Sequence, residues 1–316
     1  MLAAGEEVES GTAVAVWAAA LGDGAVRTFH ARSEAEPGEE SAAVTLAGVP
    51  ELRGASGAIV LPDPYTFHTG ALLRALRDSE PDTPVIGGQA SARTFGGGAA
   101  LFRDELVLED GAVGLVFEGV PLAPFVSQGA APLGPELTVT HADRGLIHEL
   151  AGKPALAKLR EVFDELDEHD RQLIGNGLLL GLVIDAGKPE YTQGDFLVRA
   201  VIGADADDGS ITIGEQVQTG QIVQLHARDA HSADLDLERW LERGCADLAA
   251  PAGALCFTCN GRGQAMFGAP GHDAEMLARV LDDAATAGFF AAGEIGPAAG
   301  ACFQHSFSAS VALFGR

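Results

Sequence analysis

The chain has 316 residues, which fits about two domains of ~150 residues, and its 47% hydrophobic content can fill a sizeable core. It carries 20 Lys and Arg against 45 Asp and Glu, a formal charge of −25 that disfavours nucleic acid and anionic membrane surfaces as partners. No stretch reaches the ~18 apolar residues of a membrane span, the N-terminus lacks a signal-peptide pattern, and four cysteines are too few for a disulfide scaffold. A cytoplasmic location is expected.

GTAVAVWAA (11–19) reads as an interior strand with almost no preamble. That position suggests that part of the first module precedes Met1. Acidic residues 33–41 read as an exposed loop. GAIVLPD (57–63) is a short buried strand, and Thr69–Asp78 places Leu72, Leu73 and Leu76 on one helical face. PVIGGQAS (84–91) is a second buried strand. Residues 103–119 read as a hairpin turning at Glu109-Asp110-Gly111.

Residues 121–135, rich in Pro and Gly, are the expected linker between residues 1–120 and 136–316. Lys153–Glu168 is the clearest helix, with Pro154 in its first turn and Leu156, Leu159, Phe163 and Leu166 as its apolar stripe. Four strands separated by Gly and Asp clusters follow in 177–229 and predict an antiparallel meander. A helix over 235–248 and a strand over 253–259 lead into NGRG, a helix from His272, a strand over 287–291, the turn AAGEIGP, and a final hairpin.

Two parts of the chain repeat one order. GGGAALF (96–102) matches PAAGACF (297–303), and GAIV (57–60) resembles GALC (253–256). The unit is strand, helix, strand, small-residue turn and hairpin. A third trace, AAGE at 3–6, repeats AAGE at 291–294. Such duplication predicts a mixed α/β fold of paired modules with mixed sheets, the meander being inserted in the second half.

Open α/β sheets bind ligands beyond the carboxyl ends of their strands. Those ends bring forward Ser91 and Arg93 in the first module, and Asn260, Gly261, Arg262, Gly263, Gly293 and Glu294 in the second. The glycines flanking Arg262 allow close backbone approach, and a guanidinium can grip a carboxylate or phosphate bidentately. The bland alternative is an Asn-Gly turn with a solvated arginine. Glu294 could meet a ligand amine or cap a turn.

Cys256 and Cys259 have C-x-x-C spacing but no second ligand pair, and on a strand they face opposite ways, so they read as buried thiols. His305 and Cys302 admit a haem-ligand reading, against plain packing. No other metal spacing, phosphate loop or nucleophile elbow is present.

The run ALCFTCNGRGQAMFG (254–268), His272-Asp273, and AGFFAAGEIGP (287–297) resembles the FIST domain family. Residues 175–230 and 118–129 are similar to other parts of it, so the likeness covers nearly the whole chain. It implies a sensory, signal-transducing domain with two halves, the first of them lacking its opening strands and helix here. The leading expectation is a non-enzymatic sensor that holds an amino acid or related metabolite between the two modules, with a separate signalling protein as output. A haem-based nitric-oxide sensor, a protein-interaction module and a hydrolase-like enzyme are the alternatives. No cofactor is expected outside the haem alternative.

Overall fold

The computed structural model describes residues 1–35, 44–91, 99–175, 177–248, 251–282 and 284–316. The chain forms two compact units, Met1–Ser127 with Leu237–Arg316, and Gln128–Asp236. This division differs from the expected split into 1–120 and 136–316.

The first unit starts with the hairpin β1 (Leu2–Ala3) and β2 (Glu6–Glu7). Residues 11–19 then run without a ladder partner, correcting the expected interior strand. Their side chains alternate as they would in a strand, but Val14 and Val16 lie in solvent. β3 (Ala25–Ala35), β4 (Val44–Ala47), β5 (Gly57–Pro62), α1 (Thr69–Ser79) and β6 (Val85–Gly88) follow. β7 (Leu101–Arg103) pairs with β8 (Leu106–Leu108), while β9 (Ala112–Glu118) belongs to another sheet. The expected 103–119 hairpin is therefore absent. The real hairpin turn is at Asp104, in left-handed conformation at φ 53°, and Asp110-Gly111 joins two sheets instead.

Residues 121–135 are strand rather than linker. β10 (Leu122–Gln128) lies beside the last strand of the chain, and β11 (Ala130–Asp143) opens the second unit. Pro135 falls where register breaks between Leu133 and Leu137, whereas Pro132 sits in register opposite His226.

The second unit continues with β12 (Leu146–Leu150), β13 (Lys153–Pro154), α2 (Ala155–Glu165), α3 (Glu168–Ile174), β14 (Leu179–Val183), β15 (Phe196–Ala204), β16 (Ile211–Ile213) and β17 (Ile222–Arg228). The strand order β11-β17-β14-β15-β16-β12 closes through a β11–β12 pairing. The meander is antiparallel as expected, and it forms a barrel. Ala155, Leu159 and Val162 of α2 are buried, whereas Phe163 is exposed, so the apolar stripe is rotated from the expected one.

The chain re-enters the first unit along α4 (Ala230–Leu248), then β18 (Gly253–Cys259), α5 (Gln264–Phe267), α6 (His272–Val280), β19 (Ala285–Ala291), β20 (Glu294–Ala298), β21 (Ala301–His305) and β22 (Ser308–Phe314). Here the duplication is plain. β5 pairs with β6 in parallel and β9 antiparallel; β18 pairs with β19 in parallel and β22 antiparallel. The registers agree, with Gly57 opposite Phe117 and Gly253 opposite Phe314.

Each sheet borrows a hairpin from elsewhere. β1–β2 extends the sheet of β19, and β20–β21 extends the sheet of β6. The AAGE segments at 3–6 and 291–294 thus begin or span equivalent hairpins. Leu72, Leu73 and Leu76 of α1 cover one sheet, and Leu237, Leu241 and Leu277 of α4 and α6 cover the other. Between the sheets, Ile59, Ile86 and Phe117 meet Phe257, Ala312 and Phe314. The unit is layered as helix, sheet, sheet, helix.

Candidate functional site

The carboxyl ends of the parallel strands converge where the chain crosses between sheets. β19 ends at Ala291 in one sheet and β20 starts at Glu294 in the other. Asn260 N–H donates to Ala291 O at 3.0 Å, and Gln89 N–H to Gly293 O at 2.8 Å. Ser91 Oγ donates to Phe290 O at 2.6 Å. The strand ends of both modules therefore meet, as the sequence suggested. Arg93 lies outside the described residues.

After β18 the backbone turns sharply, with Arg262 N–H donating to Cys259 O at 2.8 Å. Gly263 follows at φ 128°, where a Cβ would fall 2.9 Å from the Glu9 carboxylate. The positive φ calls for glycine, while the exposed Glu9 side chain could move aside from a Cβ. This turn sends Arg262 inward rather than into solvent.

Arg262 is 2% exposed. Its Nε and Nη2 donate to Asp273 Oδ2 and Oδ1 at 2.9 and 2.8 Å, a bidentate pair. Thr258 Oγ1 also donates to Oδ2 at 2.5 Å, and His272 Nδ1 lies 2.9 Å from Oδ1. Phe267 packs beneath the guanidinium at 5.2 Å and stacks on His272. Burial pushes the Asp273 carboxyl up, yet the charge and hydrogen bonds of Arg262, aided by His272 and Thr258, hold it well below the usual range. The acid group that Arg262 grips is thus one from its own chain, which ties β18 to α6. Neither the bland solvated arginine nor a fully open ligand grip describes it. Among the described residues, Nη1 has no hydrogen-bond partner.

Glu294 is fully buried. Ser308 donates to its Oε2 twice, from N–H at 3.1 Å and from Oγ at 2.7 Å, while Oε1 has no hydrogen-bond partner among the described residues. Burial raises its carboxyl to about 8, against the opposing pull of Ser308, the Arg262 charge and the nearby Cys259 thiol. Near neutral pH this side chain is mostly a neutral acid. Burial, and the nearby Glu294 charge, push the Cys259 thiol up to about 12, and burial raises Cys256 well above its ordinary value. Both are poor nucleophiles.

Gly293 touches this cluster closely, since a Cβ there would fall 2.7 Å from Gln89 Oε1. Gln89 itself donates to Thr69 Oγ1 and accepts from Gln304. Asn260 and Ser91 are exposed at the rim. The sequence reading missed Gln89, Ser308 and the partnership of Asp273 with Arg262. Only the position of Asp273 in the first turn of α6 offered a hint, because acids favour helix N-termini.

The haem reading fits poorly. His305 is 2% exposed, with Nε2 3.1 Å from Gly296 O. The Cys302 sulfur accepts the Val85 amide at 3.1 Å. Three residues apart on β21, the two side chains face opposite ways, and neither presents an open ligand position. Among the described residues, no group of three or more His, Cys, Asp or Glu could hold a metal ion. No helix among them is long and apolar enough to cross a membrane.

Residues 2–153 match the FIST N domain, and residues 155–297 the FIST C domain. The chain is 47% identical to Uncharacterized protein Mb0898c of Mycobacterium bovis over 81% of its length and 67% of that protein's. It is 45% identical to Uncharacterized protein Rv0628c of Mycobacterium tuberculosis over the same shares. The duplicated sheets, the strand-end crossover and these matches agree: the chain belongs to the FIST family of sensory, signal-transduction domains.

Proposed function

We propose that this protein is a non-enzymatic cytoplasmic sensor that takes an amino acid or related zwitterionic metabolite at the crossover between its two modules and signals to a separate protein. The observation that carries this reading is a pair of buried, oppositely chargeable side chains at that crossover, each with one unmet polar atom: Arg262 Nη1 and Glu294 Oε1. Buried polar atoms are ordinarily satisfied, so two unmet ones at a strand-end crossover suggest a ligand's place.

In this arrangement Arg262 keeps Asp273 and offers Nη1 to the ligand's carboxylate. Glu294 offers Oε1 to its ammonium, and Asn260 aligns it from the rim. An arriving ammonium favours the ionised carboxylate, so binding releases a proton near pH 7, given a carboxyl that sits at about 8 in the free protein.

Titration calorimetry against a panel of amino acids and small metabolites tests the site. A true ligand loses at least ~10-fold in affinity with Glu294→Gln or Asn260→Ala, the loss of about one charge-assisted hydrogen bond. Its binding enthalpy at pH 7 also varies with the ionisation enthalpy of the buffer. A ligand that binds both variants unchanged sits elsewhere, and the reading fails.

A further inference from the structure

A cavity lies away from the crossover, in the layer between the two sheets. It measures about 380 Å³, within the ~300–1,000 Å³ range of small-molecule sites. Ile59, Leu61 and Leu115 form one wall, and Leu255, Phe257 and Phe289 the other. Phe257 and Phe289 meet edge to face at 5.3 Å, a rigid aromatic floor. The irregular stretch after β2 covers one side through Ala15 and Trp17, and Trp17 is pinned by Nε1 donating to Ala285 O at 3.0 Å.

Polar groups enter this lining at one place. Thr28, Arg103 and Asp104 stand together there, with Thr28 Oγ1 donating to Asp104 Oδ2 at 3.1 Å. Arg103 Nε is buried and has no hydrogen-bond partner among the described residues, and its 3.6 Å separation from Asp104 Oδ2 is too long for one. Arg103 is thus an ion-pair neighbour of Asp104, while its Nε–H makes no hydrogen bond and is left for a carboxylate that reaches the cavity. Phe102, which also borders the cavity, is 67% exposed, and its cross-strand partner Val107 is 65% exposed. Exposed apolar side chains at the mouth of an apolar cavity suit an apolar visitor.

We infer that this cavity binds a monocarboxylic acid with an apolar body, such as a medium-chain fatty acid, its chain between the sheets and its carboxylate on Arg103. The inference stands apart from the zwitterion site, because none of the crossover residues lines this cavity.

Trp17 borders the cavity and the protein's other tryptophan is Trp240, so Trp240→Phe leaves a single reporter. Titrating that variant with bromine-labelled dodecanoate should quench its fluorescence saturably, with unlabelled dodecanoate competing and dodecylammonium failing to compete. Arg103→Gln should raise the dissociation constant for dodecanoate at least ~10-fold and leave that for dodecanol unchanged. Glu294→Gln should leave dodecanoate binding intact, which separates this outcome from the crossover reading. Quenching that never saturates, equal competition by the ammonium, or an Arg103→Gln variant that binds dodecanoate as before would overturn the proposal.

Discussion

The two modules share a scaffold and differ in how they hold the loop from central strand to helix. Gly87 lies opposite Val60 in the first and Gly288 opposite Cys256 in the second. In the first module the loop is held by Asp63, 1% exposed, whose carboxylate accepts Tyr65 N–H at 3.1 Å and Thr66 Oγ1 at 2.8 Å. In the second it is held by the buried Arg262–Asp273 pair. Duplication preserved what the backbone requires, and the charged fastening belongs to one copy. The ion pair is also the costlier fastening, since both ions leave water and depend on each other.

The sharpest way to break the comparison is to remove one partner. Arg262→Ala or Asp273→Asn should destabilise the first unit by about 3–5 kcal/mol in urea unfolding, because a buried charge or a set of donors is left unpaired. Replacing both, as Arg262→Met with Asp273→Leu, should recover much of that loss.

The next effect depends on pH. Below pH 4.5 the Glu294 carboxyl holds its proton in both folded and unfolded chains. Between 4.5 and about 8 the unfolded chain ionises while the folded one keeps its proton, so stability falls across that window and then levels off. Glu294→Gln should remove this slope, with little change at pH 4.5 and a gain of about 2–4 kcal/mol at pH 8.5 in urea unfolding.

Where the modules agree, the same lesion should meet the same contact, with added backbone strain at Gly87, which sits at φ 154°. A Cβ at Gly87 would fall 1.9 Å from Val60 O, and one at Gly288 1.7 Å from Cys256 O. Gly87→Ala and Gly288→Ala should each cost about 1–3 kcal/mol by thermal unfolding, through forced separation of the parallel strands. A markedly smaller loss at Gly87 than at Gly288 would show that the two ladders are not equivalent. The smallest effect should come from the first module's fastening. Asp63→Asn retains acceptor capacity and should cost about 1 kcal/mol.

Much of this fold is legible in the sequence. The strands 57–62 and 253–259, the helix from Thr69 and the antiparallel meander follow from periodicity and turn residues. What failed did so for non-local reasons. Asp110-Gly111 does turn the chain, with Gly111 at φ 83°, but a turn signal does not say whether the strands on either side will pair. Residues 11–19 alternate like a strand yet have no ladder partner, and pairing is not encoded in one strand. Prolines in 121–135 suggested a linker because their position relative to a ladder cannot be read from composition.

The candidate site divides the same way. Glycines around Arg262 and Gly293, and the repeat that places them at strand ends, are properties of the sequence, because backbone freedom and hydrophobic period are local. That Arg262 turns inward onto Asp273, that Glu294 is stripped of water, and that an apolar hollow opens between the sheets beside Arg103 were decided only by the tertiary structure. Burial, ion pairing and cavity shape arise from residues far apart in the chain, and solvation follows from what surrounds a group rather than from its neighbours in sequence.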